Sequence, residues 1–348
     1  MTERENYIRA ARFDNPEWIP VRFSVNNACY FTYDQSFLFD EMEKHKKLFP
    51  EFVRPKEKYV PVLTDIYKKG AHYYDGFGCR WESSMDGILG TVVEHPLADL
   101  SKLGDYVFPD PERHDGLNPI YWAKERARIE KERAEGRLTR ARLRHGHTFL
   151  QMCDIRGYNN FLFDMMDEEE YLKPFLEKLT AFNLEIVKKY MDIGVDVFQI
   201  PEDLGMQVGP MLSVDNFNEY ILPSYRKYIE EVRKSGALVH MHSDGDIRQL
   251  VDGIITDGVD IINLQDLVNG IDWIERNIKG RVAIELDIDR QNIVTFGTPE
   301  QVDELIKREI KQLDSKEGGL MLIYGLYPGV PEKNIVALMD ALEKYTVR

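Results

Sequence analysis

The stretch ALVHMHSDGDIRQLVDGIITDGVDIINLQ, residues 237–265, decides the fold class. It opens with a short apolar run typical of a strand, continues with a helical segment that ends at Gly258, and closes with a second strand-like run, VDIINLQ. Two parallel strands need a crossover connection of this kind. The stretch therefore predicts a β–α–β unit within a parallel sheet.

The same alternation extends through the second half of the chain. Further strand-like runs occupy residues 195–203, 281–289 and 319–325, and helical segments lie between them. One of these helices begins with Thr298 as its N-cap, and Gln301 completes a capping-box pattern. Five consecutive strand–helix units predict parallel strands joined by helical crossovers.

The first half adds three candidate strands, at residues 18–25, 71–76 and 138–146. Eight strands are enough to close a (β/α)8 TIM barrel. We therefore predict a single α/β domain, residues 1–348, with an insertion near residues 76–137 that holds a hairpin and a highly charged helix. A doubly wound open sheet is the rival fold, but no GxGxxG motif follows the first strand.

Composition narrows the class of partner. The 348 residues carry a formal net charge of −15, which disfavours a surface for nucleic acid or for an anionic membrane. No apolar run is long enough for a transmembrane helix, and charges stand at the N-terminus where a signal peptide needs its apolar core. The three cysteines lie far apart and predict no disulfide framework. We expect a cytoplasmic protein.

Polar residues collect where the predicted strands end. In a TIM barrel the active site lies at the carboxyl ends of the strands. The residues predicted at that rim are Asn26, Asp75, His145, His147, Glu202, Asp203, His240, His242, Gln265, Asp266, Glu285, Asp287 and Tyr324. Histidines, acids and a tyrosine on one rim predict a site for proton or metal chemistry.

His240 and His242 are the first candidates for metal ligands. Residues i and i+2 of a strand point to the same face, so both imidazoles point to one side. With a nearby carboxylate they would make an open three-ligand zinc site. The alternatives are that His242 caps the following turn, that His240 is a satisfied polar residue, and that Glu202 and Asp203 cap the next helix.

Several segments resemble the uroporphyrinogen decarboxylase-like superfamily, in order and over most of the chain. They include YYDGFGCRWESSMDGILGTVVEHPL, PEDLGMQVGPMLS, HMHSDGDIRQLVDGIITDGVDIINLQ, the DIDRQ turn and FGTPEQVDELIKREI. The superfamily is built as a single TIM barrel, which agrees with the strand count.

The resemblance implies one of two activities. The decarboxylases of haem synthesis carry an arginine-rich segment after the first strand, where this chain has PVRFSVNNACY and keeps only Arg22. Their aspartate matches Asp75, and their late histidine matches Tyr324. The corrinoid-dependent methyltransferases bind zinc through an HxC motif, which corresponds here to His240-Met241-His242, and a later cysteine, which falls at Tyr324.

The resemblance leans toward the methyltransferase branch that demethylates small methoxy or methylamine compounds. It implies zinc on His240, His242 and Glu202 or Glu285, a corrinoid held by a partner protein, and proton transfer by Asp75 or Tyr324. The predicted substrate-binding residues are Asn26, His147, Asp203 and Gln265. The alternatives are a decarboxylase of another small acid and a barrel that only binds a methylated ligand. A homodimer is a possible assembly.

Overall fold

The computed structural model describes residues 1–347. In this part of the chain the strands are β1 Val21–Val25, β2 His72–Tyr74, β3 Arg80–Glu82, β4 Thr91–Glu94, β5 Arg140–Arg142, β6 Val197–Asp203, β7 Gly205–Met206, β8 Gly209–Pro210, β9 Leu238–Asp244, β10 Ile261–Gln265, β11 Ala283–Asp287 and β12 Leu320–Leu326. Within the same residues, seven strands pair in parallel as the main sheet, in the order β1-β12-β11-β10-β9-β6-β5. The β–α–β prediction for 237–265 is confirmed, since β9 and β10 are parallel neighbours.

Helices connect these strands and cover the outer face of the main sheet. The α-helices of the described chain are α1 Glu3–Ala11, α2 Cys29–Thr32, α3 Gln35–Lys44, α4 Trp122–Ala134, α5 Phe149–Arg156, α6 Tyr158–Met166, α7 Leu172–Ile193, α8 Val214–Asn216, α9 Leu222–Ser235, α10 Val251–Thr256, α11 Asp266–Asn269, α12 Ile271–Asn277, α13 Ile293–Phe296, α14 Pro299–Leu313 and α15 Glu332–Tyr345. A π-helical segment, Phe217–Ile221, joins α8 to α9 just before Pro223. The Thr298 capping box is formed as predicted. No helix within residues 1–347 is long and apolar enough to span a membrane.

The main sheet is strongly curled. Arg140 on β5 and Glu285 on β11 are four strand spacings apart, about 19 Å in a flat sheet. Their side chains nevertheless approach to 3.8 Å, between Nη1 and Oε1. Arg22 on β1, at the opposite edge, reaches the same carboxylate at 3.4 Å. The two edges of the sheet therefore face one another across a concave interior.

Helix α1 plugs the bottom of this interior. Tyr7, Ala10 and Ala11 pack there against the inward-facing residues at the strand starts, which are Val197, Leu238, Ile261, Ala283 and Met321. A second, larger core lies between the sheet and the outer helices. The plug closes the amino-terminal end, so ligands reach the interior from the carboxyl ends of the strands or from the gap between β1 and β5.

The eighth strand of the predicted barrel is not confirmed. His72–Tyr74 is extended as expected, but β2 pairs antiparallel with β3, and β3 with β4, in a small separate sheet. Among residues 1–347 no strand pairs with the outer edge of β1 or of β5. The alternating pattern of a short strand identifies extended backbone but not its partner. The hairpin and the charged helix predicted near 76–137 are present as β3–β4 and α4.

Candidate functional site

Three side chains from adjacent strands meet at the carboxyl edge of the main sheet. His242 lies on β9, Asp203 ends β6, and His145 follows β5. His145 Nε2 lies 3.2 Å from Asp203 Oδ1, and His242 Nε2 lies 3.5 Å from the same oxygen. One ligand atom from each residue falls within 4.8 Å of the others. Two imidazoles and a carboxylate are a donor set that fits zinc and leaves an open position.

Asn263 fixes the orientation of His242. The Asn263 side-chain amide donates from Nδ2 to the backbone oxygen of Glu285, at 2.6 Å. Its Oδ1 is therefore the acceptor for His242 Nδ1, at 2.5 Å. With Nδ1 as the donor, the ring in its neutral form would present the lone pair of Nε2 to a metal ion beside Asp203 and His145. Metal-ligating histidines are held by a hydrogen bond of this kind on their other ring nitrogen.

The carboxylates around His242 favour a positive charge at this point. Burial alone lowers the pKa of His242, but the hydrogen bond to Asp203 and the charges of Asp244 and Asp203 raise it to about 9. Burial raises the pKa of Asp203, but His145 and His242 hold it well below its usual range. The cluster thus binds a proton tightly, and a divalent cation would bind in the same field with release of that proton.

His240 lies one layer deeper and has different partners. Its Nε2 lies 2.9 Å from Glu285 Oε2, and both side chains are buried. Burial lowers the pKa of His240. Burial raises the pKa of Glu285, but Arg22, His240 and Arg140 hold it well below its usual range. The two histidines do share the concave face, but the structure does not bring His240 or Glu285 into the cluster of His242.

Glu202 faces away from the concave side. Its carboxylate accepts hydrogen bonds from the backbone N–H groups of Thr148, Phe149 and Leu150, the first turn of α5, and from the Tyr225 hydroxyl. Burial raises its pKa to about 7, against these hydrogen bonds. The residue therefore caps a helix, the alternative interpretation of its position; it lies 3.8 Å from His147 but is not brought to His240 or His242.

The two residues predicted to transfer protons are also placed elsewhere. Asp75 accepts from the backbone N–H of Phe77 and Cys79 and from the indole of Trp81, so it organises a loop of the small sheet. Tyr324 is buried against Phe23 on the outer side of the sheet, with ring centroids 5.2 Å apart. Neither side chain contacts the cluster.

The predicted substrate-binding residues divide in the same way. Asp203 is in the cluster. Gln265 accepts from the Gly245 backbone N–H at 2.9 Å, beside the cluster. Asn26 accepts from the Ala28 backbone N–H and shapes the turn after β1. His147 is buried between Tyr225 and Tyr228, and burial holds its pKa well below the usual range. Asn26 and His147 therefore stabilise the fold and do not line the cluster of His145, Asp203 and His242.

Sequence reasoning missed the residues that complete the mouth. The sequence predicts no site role for Asn263, although strand alternation places its side chain on the inward face of VDIINLQ. Arg290 donates to Asp287 at 2.8 Å and lies 3.7 Å from Asp244. The second oxygen of Asp287 is buried with no hydrogen-bond partner among residues 1–347. Burial raises the pKa of Asp287 to about 7, despite Arg290, so this acid can gain or lose its proton near neutral pH.

A solved structure is similar to this one over nearly the whole chain. A methyltransferase from Methanosarcina mazei superimposes with a TM-score of 0.68, covers 99% of both chains and is 14% identical. At that identity the likeness shows a shared fold and nothing finer.

Curated sequence relatives of this chain carry the name uroporphyrinogen decarboxylase. Uroporphyrinogen decarboxylase of Prochlorococcus marinus is 25% identical over 192 residues, 52% of this chain and 51% of the relative. That of Coxiella burnetii is 22% identical over 190 residues, 53% of this chain and 50% of the relative. The chain thus matches about half the length of these curated relatives. A model of the uroporphyrinogen decarboxylase (URO-D) family matches residues 75–345, and the chain belongs to that family.

Proposed function

We propose that this protein is a zinc-dependent methyltransferase that moves a methyl group from a small O- or N-methylated compound to a corrinoid on a partner protein. The observation that carries the proposal is the convergence of His145, Asp203 and His242 at the mouth of the curled sheet. The methyltransferase neighbour supports the fold only, and the relatives' names keep a decarboxylase as the second candidate.

The metal would be held by the cluster rather than by His240 with Glu285. Zinc bound there would act as a Lewis acid on the heteroatom that carries the methyl group. Asn263 keeps His242 in the tautomer that presents Nε2. Asp203 stays ionised and supplies the negative charge that offsets the cation.

Asp287 is the proton donor that we assign in place of Tyr324 and Asp75. A methyl ether or amine has a strongly basic leaving group, so a proton delivered to the heteroatom lowers the barrier. Each tenfold gain in rate corresponds to about 1.4 kcal/mol. With a pKa of about 7, Asp287 carries its proton in part of the molecules at neutral pH, and it keeps one carboxyl oxygen without a hydrogen-bond partner among the described residues.

The test combines metal analysis with a methylation assay. We expect about one zinc per chain by emission spectrometry, lost in His242→Ala and His145→Ala. Both variants should stop the conversion of cob(I)alamin to methyl-cobalamin with methoxy or methylamine donors. His72→Ala, an exposed histidine with 65% of its side chain accessible, is the matched control. Zinc that is lost in His240→Ala but kept in His145→Ala would refute this ligand set.

The decarboxylase alternative is decided by the product. Carbon dioxide released from a small acid, with no methyl-cobalamin from any donor, would favour it. If neither product is formed, the remaining interpretation is a protein of the same fold that only binds its ligand.

A further inference from the structure

Arg142 is a cation on the concave face that lacks a counter-ion. Ala141 and Leu143, on either side of it, are buried in the core between the sheet and the outer helices. Strand alternation therefore directs Arg140 and Arg142 to the concave side. Arg140 stacks over the Tyr7 ring at 4.5 Å, which agrees with this direction. Arg142 is exposed, and no ion pair or hydrogen bond of its guanidinium is found within residues 1–347.

Arg142 lies at the level of the metal cluster. Arg140 and His240 both contact the Glu285 carboxylate, so these three residues form one layer of the interior. Two residues further along a strand is a step of about 6.6 Å toward the carboxyl ends. Arg142 and His242 are each two residues on, so both belong to the next layer.

The gap between the edge strands β1 and β5 carries excess positive charge. Arg22, Arg140 and Arg142 face it, and within residues 1–347 Glu285 is the one carboxylate that forms an ion pair with Arg22 and Arg140. On β1 the inward-facing Arg22 and Ser24 are exposed, so water and small ligands reach this side of the interior. We call the space lined by Arg22, Ser24 and Arg142 the inner cleft.

Tyr67 adds a hydroxyl group near Arg142. Burial raises the pKa of Tyr67, and the positive charge of Arg142 partly offsets that effect, which places the two side chains within electrostatic range. An arginine fork and a phenol hydroxyl are both donors, and a carboxylate accepts from both. The inner cleft therefore offers cationic and neutral donors, and the Asp115 carboxylate also lies within electrostatic range of Tyr67.

We propose that Arg142 binds a carboxylate of the substrate, so that the substrate class is small methylated carboxylic acids. This inference rests on the proposed methyl transfer and specifies its substrate. The carboxylate would lie in the inner cleft, and the methylated heteroatom would lie toward His242 in the same layer.

The experiment compares matched acids and amides. Calorimetric titration of the protein, without corrinoid, uses 3-methoxybenzoate against 3-methoxybenzamide and methoxyacetate against methoxyacetamide. We expect at least one acid to bind about tenfold or more tightly than its amide, as a charge-assisted bidentate contact would give. Arg142→Gln should remove that preference, and Arg142→Lys should keep part of it. Arg113→Gln, a loop arginine with 87% of its side chain exposed, should bind as wild type does.

The outcomes separate this inference from the proposed function. Acids that bind no better than amides, or a preference that survives Arg142→Gln, overturn the inference, and so does a wild type that binds none of the four probes. Methyl transfer with equal rates from acid and amide would overturn it as well, although the proposed function would stand. Acid binding that depends on Arg142 without methyl transfer would support the carboxylate site and count against the methyltransferase. The amides in each variant show whether a loss is specific to the carboxylate.

Discussion

Replacing Glu202 by alanine tests whether this residue caps a helix or binds metal. Its Oε2 accepts from the Thr148 and Phe149 N–H groups, each at 3.0 Å, and from Tyr225 Oη at 3.0 Å. Its Oε1 accepts from the Leu150 N–H at 3.1 Å. The alanine variant therefore leaves four donors without their acceptor, three of them at the start of α5.

The expected loss of stability follows from that count. A buried donor without a partner costs about 1–3 kcal/mol, and water entering the vacated space favours the low end of that range. Four donors give a decrease of about 4 kcal/mol in the free energy of unfolding. Glu202→Gln can keep its oxygen on the three donors of Oε2 and turn its amide toward Leu150. It therefore loses one bond and should cost about 1–2 kcal/mol.

Urea unfolding and zinc content, measured on the same preparations, decide the matter. Both variants should keep the zinc content of the wild type per folded chain, because Glu202 faces away from His242. Glu177→Ala, an exposed helical glutamate, is the control and should change stability by less than about 0.5 kcal/mol. Loss of zinc from Glu202→Ala with the stability of the wild type would refute the capping role and restore the ligand role.

Three further predictions concern buried polar groups. The Tyr324 hydroxyl is buried with no hydrogen-bond partner in residues 1–347. Tyr324→Phe should therefore raise the free energy of unfolding by about 1 kcal/mol and leave the turnover rate unchanged. A fall in turnover at unchanged stability would restore Tyr324 as the proton donor. Burial and the neighbouring Asp266 raise the pKa of Glu309 well above its usual range. The protonated Glu309 side chain therefore contributes its full stability to the fold below about pH 4.5. That contribution to the free energy of unfolding decreases by about 1.4 kcal/mol per pH unit as the pH rises toward the pKa of Glu309 in the folded protein. Glu309→Gln should therefore gain stability relative to wild type between pH 5 and 8 in urea titrations, and parallel pH profiles would contradict this. Asn263→Ala should weaken zinc binding by about 10–100-fold in chelator competition, because His242 loses the bond that orients it; an unchanged affinity would show that the bond is not needed.

The fold was predictable where the pattern repeats. Strand and helix periods recur through the second half of the chain, and each strand from β6 to β12 that joins the main sheet matches a predicted run to within two residues at either end. The failure at His72–Tyr74 has a local cause. Three extended residues carry no information about whether a parallel neighbour or a hairpin partner pairs with them, and the hairpin begins six residues later at Arg80. The local antiparallel pairing closes a shorter loop, which costs less conformational entropy.

The face of each site residue was predictable, but its layer was not. Alternation correctly placed His240 and His242 on one side of β9. The distance between consecutive inward-facing residues, about 6.6 Å, is larger than a metal site allows unless one side chain bends toward the other. Here His240 contacts Glu285 and His242 contacts Asp203, so the two histidines belong to two different layers of the interior. The residues that decide this, Arg140 and Asn263, lie on other strands.

Net charge and the inner cleft make different predictions about the substrate, because net charge describes the whole surface and a ligand responds to its immediate surroundings. A formal charge of −15 argues against an anionic partner at long range. At physiological salt, however, charges more than about 8 Å away are largely screened. Within that range the inner cleft offers Arg142 without a counter-ion, together with Arg22. The two arguments predict opposite responses to the charge of a small substrate. Comparing the matched acid and amide therefore shows whether the local field or the net charge governs recognition. If the local field does, the acid binds more tightly than the amide even though the net charge of the protein repels it at long range. Added salt should then increase the association rate of the acid and weaken the final complex.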